Sequence, residues 1–165
     1  QERAIQFGLN DLGQCAGHVW IVDGDDSIEI SENTPLESLN LTNDVLFAQP
    51  YREQNNVLKE IKLRYSKYIP WSKNVTTSCM IIRRELLEKF FKSRFAFREF
   101  CWVDIRIQMF LHAKKIRPLL SEEHRMIYTQ HEDSASANYR NNKLKGKMIA
   151  LANLINYALL RIFKL

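Results

Sequence analysis

The chain has 165 residues, 45% hydrophobic and 26% charged, with a formal net charge of +5. That is the composition of one ordinary globular domain with enough length to bury a core, and five glycines and four prolines exclude collagen-like and low-complexity chains. No run of about 18 uninterrupted apolar residues occurs, which argues against a conventional membrane-crossing helix, and the opening residues do not read as a secretory leader.

In chain order, Ala4, Ile5, Leu9 and Leu12 recur at helical spacing, and Gly13 and Gly17 end that pattern. His18-Val19-Trp20-Ile21-Val22 is a short apolar, β-branched run that predicts a buried strand. It stops abruptly at Asp23-Gly24-Asp25-Asp26. Residues 27–44 are polar with scattered leucines and predict loops and a short helix. Val45-Leu46-Phe47-Ala48 predicts a second strand, closed by Gln49-Pro50-Tyr51. Residues 52–68 are highly charged, and Val57, Leu58, Ile61 and Tyr65 predict a helix broken by Ile69-Pro70-Trp71. Cys79-Met80-Ile81-Ile82 predicts a third strand, followed by helices over residues 84–92 and 104–114. Residues 116–120 and 125–128 predict two further strands, and residues 129–142 are polar and loop-like. Lys143 to Leu165 predicts a helix, with Leu144, Met148, Leu151, Ile155, Leu159 and Ile162 in one stripe at steps of three and four.

Charge is unevenly distributed along these elements. From Arg140 to the end the chain holds six basic residues and no Asp or Glu, so the remaining 139 residues carry a net −1. The body therefore offers no electrostatic case for nucleic-acid binding. The tail has two readings: a helix docked on its own domain or on a partner subunit, or a basic helix lying on an anionic membrane surface. Cys15, Cys79 and Cys101 are odd in number and widely spaced, with no C-x-x-C pair. They predict reduced thiols in a cytoplasmic chain rather than a disulfide framework or zinc ribbon.

Three carboxylates within four residues at a strand's end raise one another's pKa unless a cation or water relieves them. The functional reading is a divalent cation site, since oxygen ligands suit Mg²⁺ or Mn²⁺ shared with substrate phosphates. The plain reading is a solvated acidic turn. An EF-hand loop starting at Asp23 needs Gly and Glu where Ile28 and Thr34 stand, and is excluded. A haloacid-dehalogenase-type phosphatase would use Asp23 as nucleophile and Asp25 as acid/base, but also needs a later lysine and a further acidic pair after a strand, neither of which is clear.

The surrounding letters match a different family. Gly8-Leu9, Gly17 and the run Val19 to Asp26 resemble the middle of a family 2 glycosyltransferase of GT-A fold. Asp44 to Tyr51 resembles its next strand, Pro70-Trp71-Ser72-Lys73 its "W-x-K" segment, and Ile82 to Leu87 its "R-R-x-x-L" segment. Asp104 with Ala113-Lys114-Lys115-Ile116 resembles its "E-D…a-k-k-i" helix, and Tyr128 to Ser136 its "Y-x-x-H-x-x-S-x-S" ending. The order and spacing of these pieces cover about residues 3–137.

The resemblance implies an α/β fold: a partial GT-A, Rossmann-like mixed sheet flanked by helices over residues 1–139, followed by a basic amphipathic helix over 140–165. It implies sugar transfer from a nucleotide-sugar donor to a glycan or lipid-linked acceptor with Mn²⁺ or Mg²⁺, in surface polysaccharide synthesis. It assigns Asp23 and Asp26 to the nucleotide-sugar, Asp25 and His131 to the metal, and Asp104 to the general base that deprotonates the acceptor hydroxyl. Trp71 and Trp102 are candidates for stacking on a sugar. Other readings of the same residues are an ordinary loop histidine at His131, a helix N-cap at Asp104 and core aromatics at the tryptophans. Val103 stands where the family has Glu, and the nucleotide-binding strands that precede the D-x-D in the family have no counterpart here. The expectation is therefore weak or no transfer by these residues alone. The alternative function is a non-catalytic binding or assembly module that keeps the fold. The expected location is cytoplasmic, peripheral on the inner face of the membrane.

Overall fold

A computed structural model describes residues 5, 8–9, 17–30, 43–54, 57–63, 71–72, 74–96, 102–128 and 143–162. These form a mixed α/β structure with a curled sheet of six strands and three helices. The strands are β1 (His18–Trp20), β2 (Ser27–Ile30), β3 (Val45–Gln54), β4 (Val57–Glu60), β5 (Met80–Arg83) and β6 (Leu119–Tyr128). The helices are α1 (Arg84–Phe91), α2 (Val103–Ala113) and α3 (Lys143–Ile162).

The sheet runs β1-β5-β3-β6-β2, with β4 paired to β3. β3 and β6 are parallel, and every other pairing is antiparallel. Val45, Leu46, Phe47 and Ala48 are all buried because β3 lies between β5 and β6 and is covered on both faces. The β3–β6 register breaks between Ala48 and Gln49, so that Ala48 faces Ser121 while Gln49 faces Arg125. Pro50 follows immediately. A proline removes a ladder donor and is tolerated inside a sheet at such irregularities.

α1 begins directly after β5. Its first amide, on Arg84, donates to the Gly17 carbonyl at 3.1 Å, and the Arg84 side chain donates to the Leu9 carbonyl at 3.1 Å. Leu86, Leu87, Phe90 and Phe91 form its buried face. Phe90 meets Phe110 of α2 edge to face at 5.7 Å between ring centroids, and Phe95 meets Phe110 at 6.0 Å. Such aromatic pairs add about 0.5–1.5 kcal/mol beyond their burial. Gln108 of α2 is also buried. It accepts from the Ser72 amide at 2.7 Å and donates to the Ser72 and Val75 carbonyls at 3.4 Å, which ties α2 to the 71–75 segment.

Several elements differ from their sequence reading. The helix expected over 52–68 is in part a hairpin: β3 continues through Gln54, and Val57–Glu60 is β4, paired from Tyr51↔Glu60 to Gln54↔Val57. Val57 and Leu58 are exposed, so their helical spacing does not mark a buried face. Ser27–Ile30 is a strand rather than loop, following its polar/apolar alternation, and pairs with β6 from Ser27↔Ile127 to Ile30↔His124. The two strands expected after α2 are one strand with the irregularity opposite Ala48 and Gln49. The loop expected over 129–142 lies outside the described residues.

α3 rests on the body through Leu160, which joins the main core, and through Tyr157, whose ring meets that of His112 on α2 at 5.5 Å and whose hydroxyl bonds its Nδ1. Among the described residues no helix is long and apolar enough to cross a membrane.

Candidate functional site

The candidate site lies at the carboxyl end of β1. After Trp20 the chain leaves the strand, and the Ile21 amide still donates to the Met80 carbonyl at 3.2 Å. The short 3-10 turn Thr77–Cys79, just before β5, then brackets the acidic turn. The Ser78 carbonyl accepts the Trp20 indole N–H at 2.8 Å, and its Oγ accepts the Asp23 amide at 3.0 Å. The Thr77 hydroxyl donates to Asp23 Oδ2 at 3.5 Å. The Asp26 amide donates to the Asp23 carbonyl at 3.0 Å and closes the turn. Thr77 and Ser78 are buried, so these hydroxyls have their polar partners inside the protein. Asp23 and Asp26 are half-buried, whereas Asp25 at the turn is exposed.

Asp104 arrives from far along the chain, on the first turn of α2. It is not the N-cap. Trp102 occupies that position, and Asp104 Oδ1 accepts the neighbouring Ile105 amide at 2.7 Å. Its pKa is pushed up to about 6. Burial is the main cause, the Ile105 amide opposes it, and the nearby Asp23 carboxylate adds to the rise. Cys79, on the 3-10 turn, is buried. Burial pushes its thiol up to about 11, with Asp26 and Asp104 contributing, so it stays protonated at neutral pH. The fold thus brings Asp23, Asp26 and Asp104 into one electrostatic neighbourhood.

The aromatic candidates separate. Trp71 is 3% exposed within the main core, which leaves too little ring surface for a sugar to stack on. Trp102 is 47% exposed, two residues before Asp104, and retains an accessible face. His131 lies outside the described residues.

Three further side chains belong to this neighbourhood. In the sequence Thr77 and Ser78 precede an apolar strand, and nothing local marks their hold on Asp23. His124 is fully buried, its Nδ1 bonded to Ser121 Oγ at 2.6 Å and its ring against Trp20 at 5.6 Å. Burial pushes its pKa below the ordinary histidine value. No local pattern marks His124, because its burial follows from the pairing of β6 with β2 and β3.

Among the described residues no group of three or more His, Cys, Asp or Glu side chains is arranged to hold a metal ion. Asp23, Asp25 and Asp26 share one turn, and Asp25 is the exposed carboxylate of the three. No protein-family model, curated protein or solved structure matches the chain.

Proposed function

We propose that this chain carries the acceptor and diphosphate side of a sugar-transfer site of the GT-A kind, cytoplasmic and acting on a nucleotide-sugar donor and a glycan or lipid-linked acceptor. The observation that carries this reading is that the carboxylate of Asp23, on the turn after β1, is near enough to Asp104, on the first turn of α2, to help raise its pKa. Asp104 is suited to be the base. A carboxylate raised to about 6 is still ionised at neutral pH, yet is a better proton acceptor than an ordinary aspartate. The acceptor hydroxyl would give its proton to Asp104 as its oxygen bonds to the anomeric carbon, and the bond from that carbon to the diphosphate oxygen would break. Asp25 would hold Mn²⁺ or Mg²⁺, with Asp23 and Asp26 facing the nucleotide-sugar. A cation there supplies charge neutralisation of the leaving group. The exposed ring of Trp102, two residues before Asp104 in the chain, suits a sugar face. The outer edge of β1 has no partner strand among the described residues and is open to pairing.

A non-catalytic module of the same fold is the second reading. The observation favouring it is Val103, which is buried in the core where the family places a glutamate. Thermal unfolding with Mn²⁺, with and without uridine or guanosine diphosphate, separates the two. A ligand that binds only the folded chain raises the midpoint. The transferase reading expects a rise that needs both metal and nucleotide and disappears in Asp25→Ala. A chain indifferent to every nucleotide would support the binding module.

A further inference from the structure

The face that α3 turns to solvent is the wrong one for a helix docked only on its own domain. Its exposed residues are Met148 at 64%, Leu151 at 58%, Ile155 at 51%, Leu159 at 40% and Ile162 at 71%. These are the members of its apolar stripe. The side toward the body instead holds Asn153, buried at 2%, with Asn156, Tyr157 and Leu160. An amphipathic helix normally buries its apolar stripe, and a contiguous exposed apolar surface marks an interaction site.

We propose that α3 seats the protein on an anionic lipid bilayer, lying in the interface with its exposed stripe among the acyl chains. Charge selects this occupant. Residues 140–165 carry six basic side chains and no carboxylate, while the rest of the chain has a net charge of −1. The basic character is thus confined to the segment that carries the stripe. Lys147 and Arg161 are both exposed, on one flank of the stripe about four turns apart, where long cationic side chains reach phosphate headgroups while their stems cover apolar surface. A second copy of the same helix would bring like charges together, whereas an anionic surface attracts each basic residue. The helix is too polar to cross a bilayer, so it lies on the surface. This inference stands apart from the sugar-transfer reading, because it uses no residue of the acidic turn.

The test is co-sedimentation of the full chain with phosphatidylcholine vesicles, with and without phosphatidylglycerol. Binding is expected to the anionic vesicles only, and to weaken as salt is raised. The double substitution Leu151→Glu/Ile155→Glu should lower the partition coefficient at least about tenfold, since it removes two apolar anchors and adds two negative charges. Lys147→Glu/Arg161→Glu should lower it about tenfold for anionic vesicles. All four positions are exposed, so circular dichroism and the unfolding midpoint should stay near those of the parent. Failure to bind anionic vesicles would overturn the proposal, as would binding unchanged by the stripe substitutions. A dimer detected by light scattering without lipid, and dissociated by Leu151→Glu/Ile155→Glu, would also overturn it and assign the face to a second copy.

Discussion

Helices α1 and α3 both carry apolar residues at helical spacing, yet the fold treats them in opposite ways. α1 turns Leu86, Leu87, Phe90 and Phe91 into the core. α3 turns Met148, Leu151, Ile155, Leu159 and Ile162 outward and buries Asn153. The difference lies in neighbours. α1 follows β5 without a break, and the Gly17 and Leu9 carbonyls hold its start, so its apolar side must face the sheet and α2. α3 is held by Leu160 and by the Tyr157–His112 contact, which fix its rotation with the stripe outside. A stripe shows that a helix needs cover; it does not show whether its own domain supplies it.

The largest expected effect tests that contrast directly. Phe90→Ala should cost about 3–5 kcal/mol, because it opens a cavity among Phe91, Phe110 and the sheet. Leu151→Ala, at 58% exposure, should cost less than about 0.5 kcal/mol. Urea unfolding of the two variants measures both, and equal costs would break the comparison.

Buried amides sharpen it next. Gln108 of α2 has three hydrogen bonds, whereas Asn153 of α3 is buried with its Oδ1 unpartnered among the described residues. Gln108→Ala should cost about 2 kcal/mol by stranding the Ser72 amide. Asn153→Ala should cost less than half as much, because its carbonyl loses no partner. Midpoints in urea at constant slope distinguish them.

The next effect is of opposite sign. Asp104 has its folded pKa raised from 3.8 to about 6, so the folded chain binds its proton more tightly than the unfolded one. The favourable contribution is complete below 3.8 and is lost as pH rises through 6. At pH 7 the ionised, half-buried carboxylate is therefore a burden. Asp104→Asn should stabilise the protein there by about 1 kcal/mol, a value discounted for partial exposure. The gain should shrink as pH falls below 6, as denaturant titrations across that range would show. The same variant should lack any sugar transfer that depends on a base at this position. The smallest effect is expected at Gly24, where an added Cβ meets nothing within 4 Å. Gly24→Ala should shift the thermal midpoint very little, within about 0.5 kcal/mol.

Much of the scaffold was legible. The strands at His18, Val45 and Met80, and the helices starting near Arg84, Asp104 and Lys143, follow from apolar runs and periodicity. The β3–β4 hairpin was not, because the charged residues 52–60 combine helical spacing with exposed apolar side chains, and pairing to β3 outweighed that spacing. In the site, the acidic turn was evident as letters. Its support by Thr77 and Ser78 was not, since these residues lie more than fifty positions away and meet it only because β1 pairs with β5. Trp71 and Trp102 read alike as sequence, yet one is core and the other exposed.

By itself, the sequence determined which segments are apolar, where the charge changes sign, and that three carboxylates crowd the end of a strand. These are properties of neighbours along the chain. Only the tertiary structure decided that Asp104 stands near Asp23, that His124 is enclosed against Trp20, and which side of α3 meets water. Those depend on strand order, register and helix rotation, which arise from contacts between residues distant in sequence that no local period encodes.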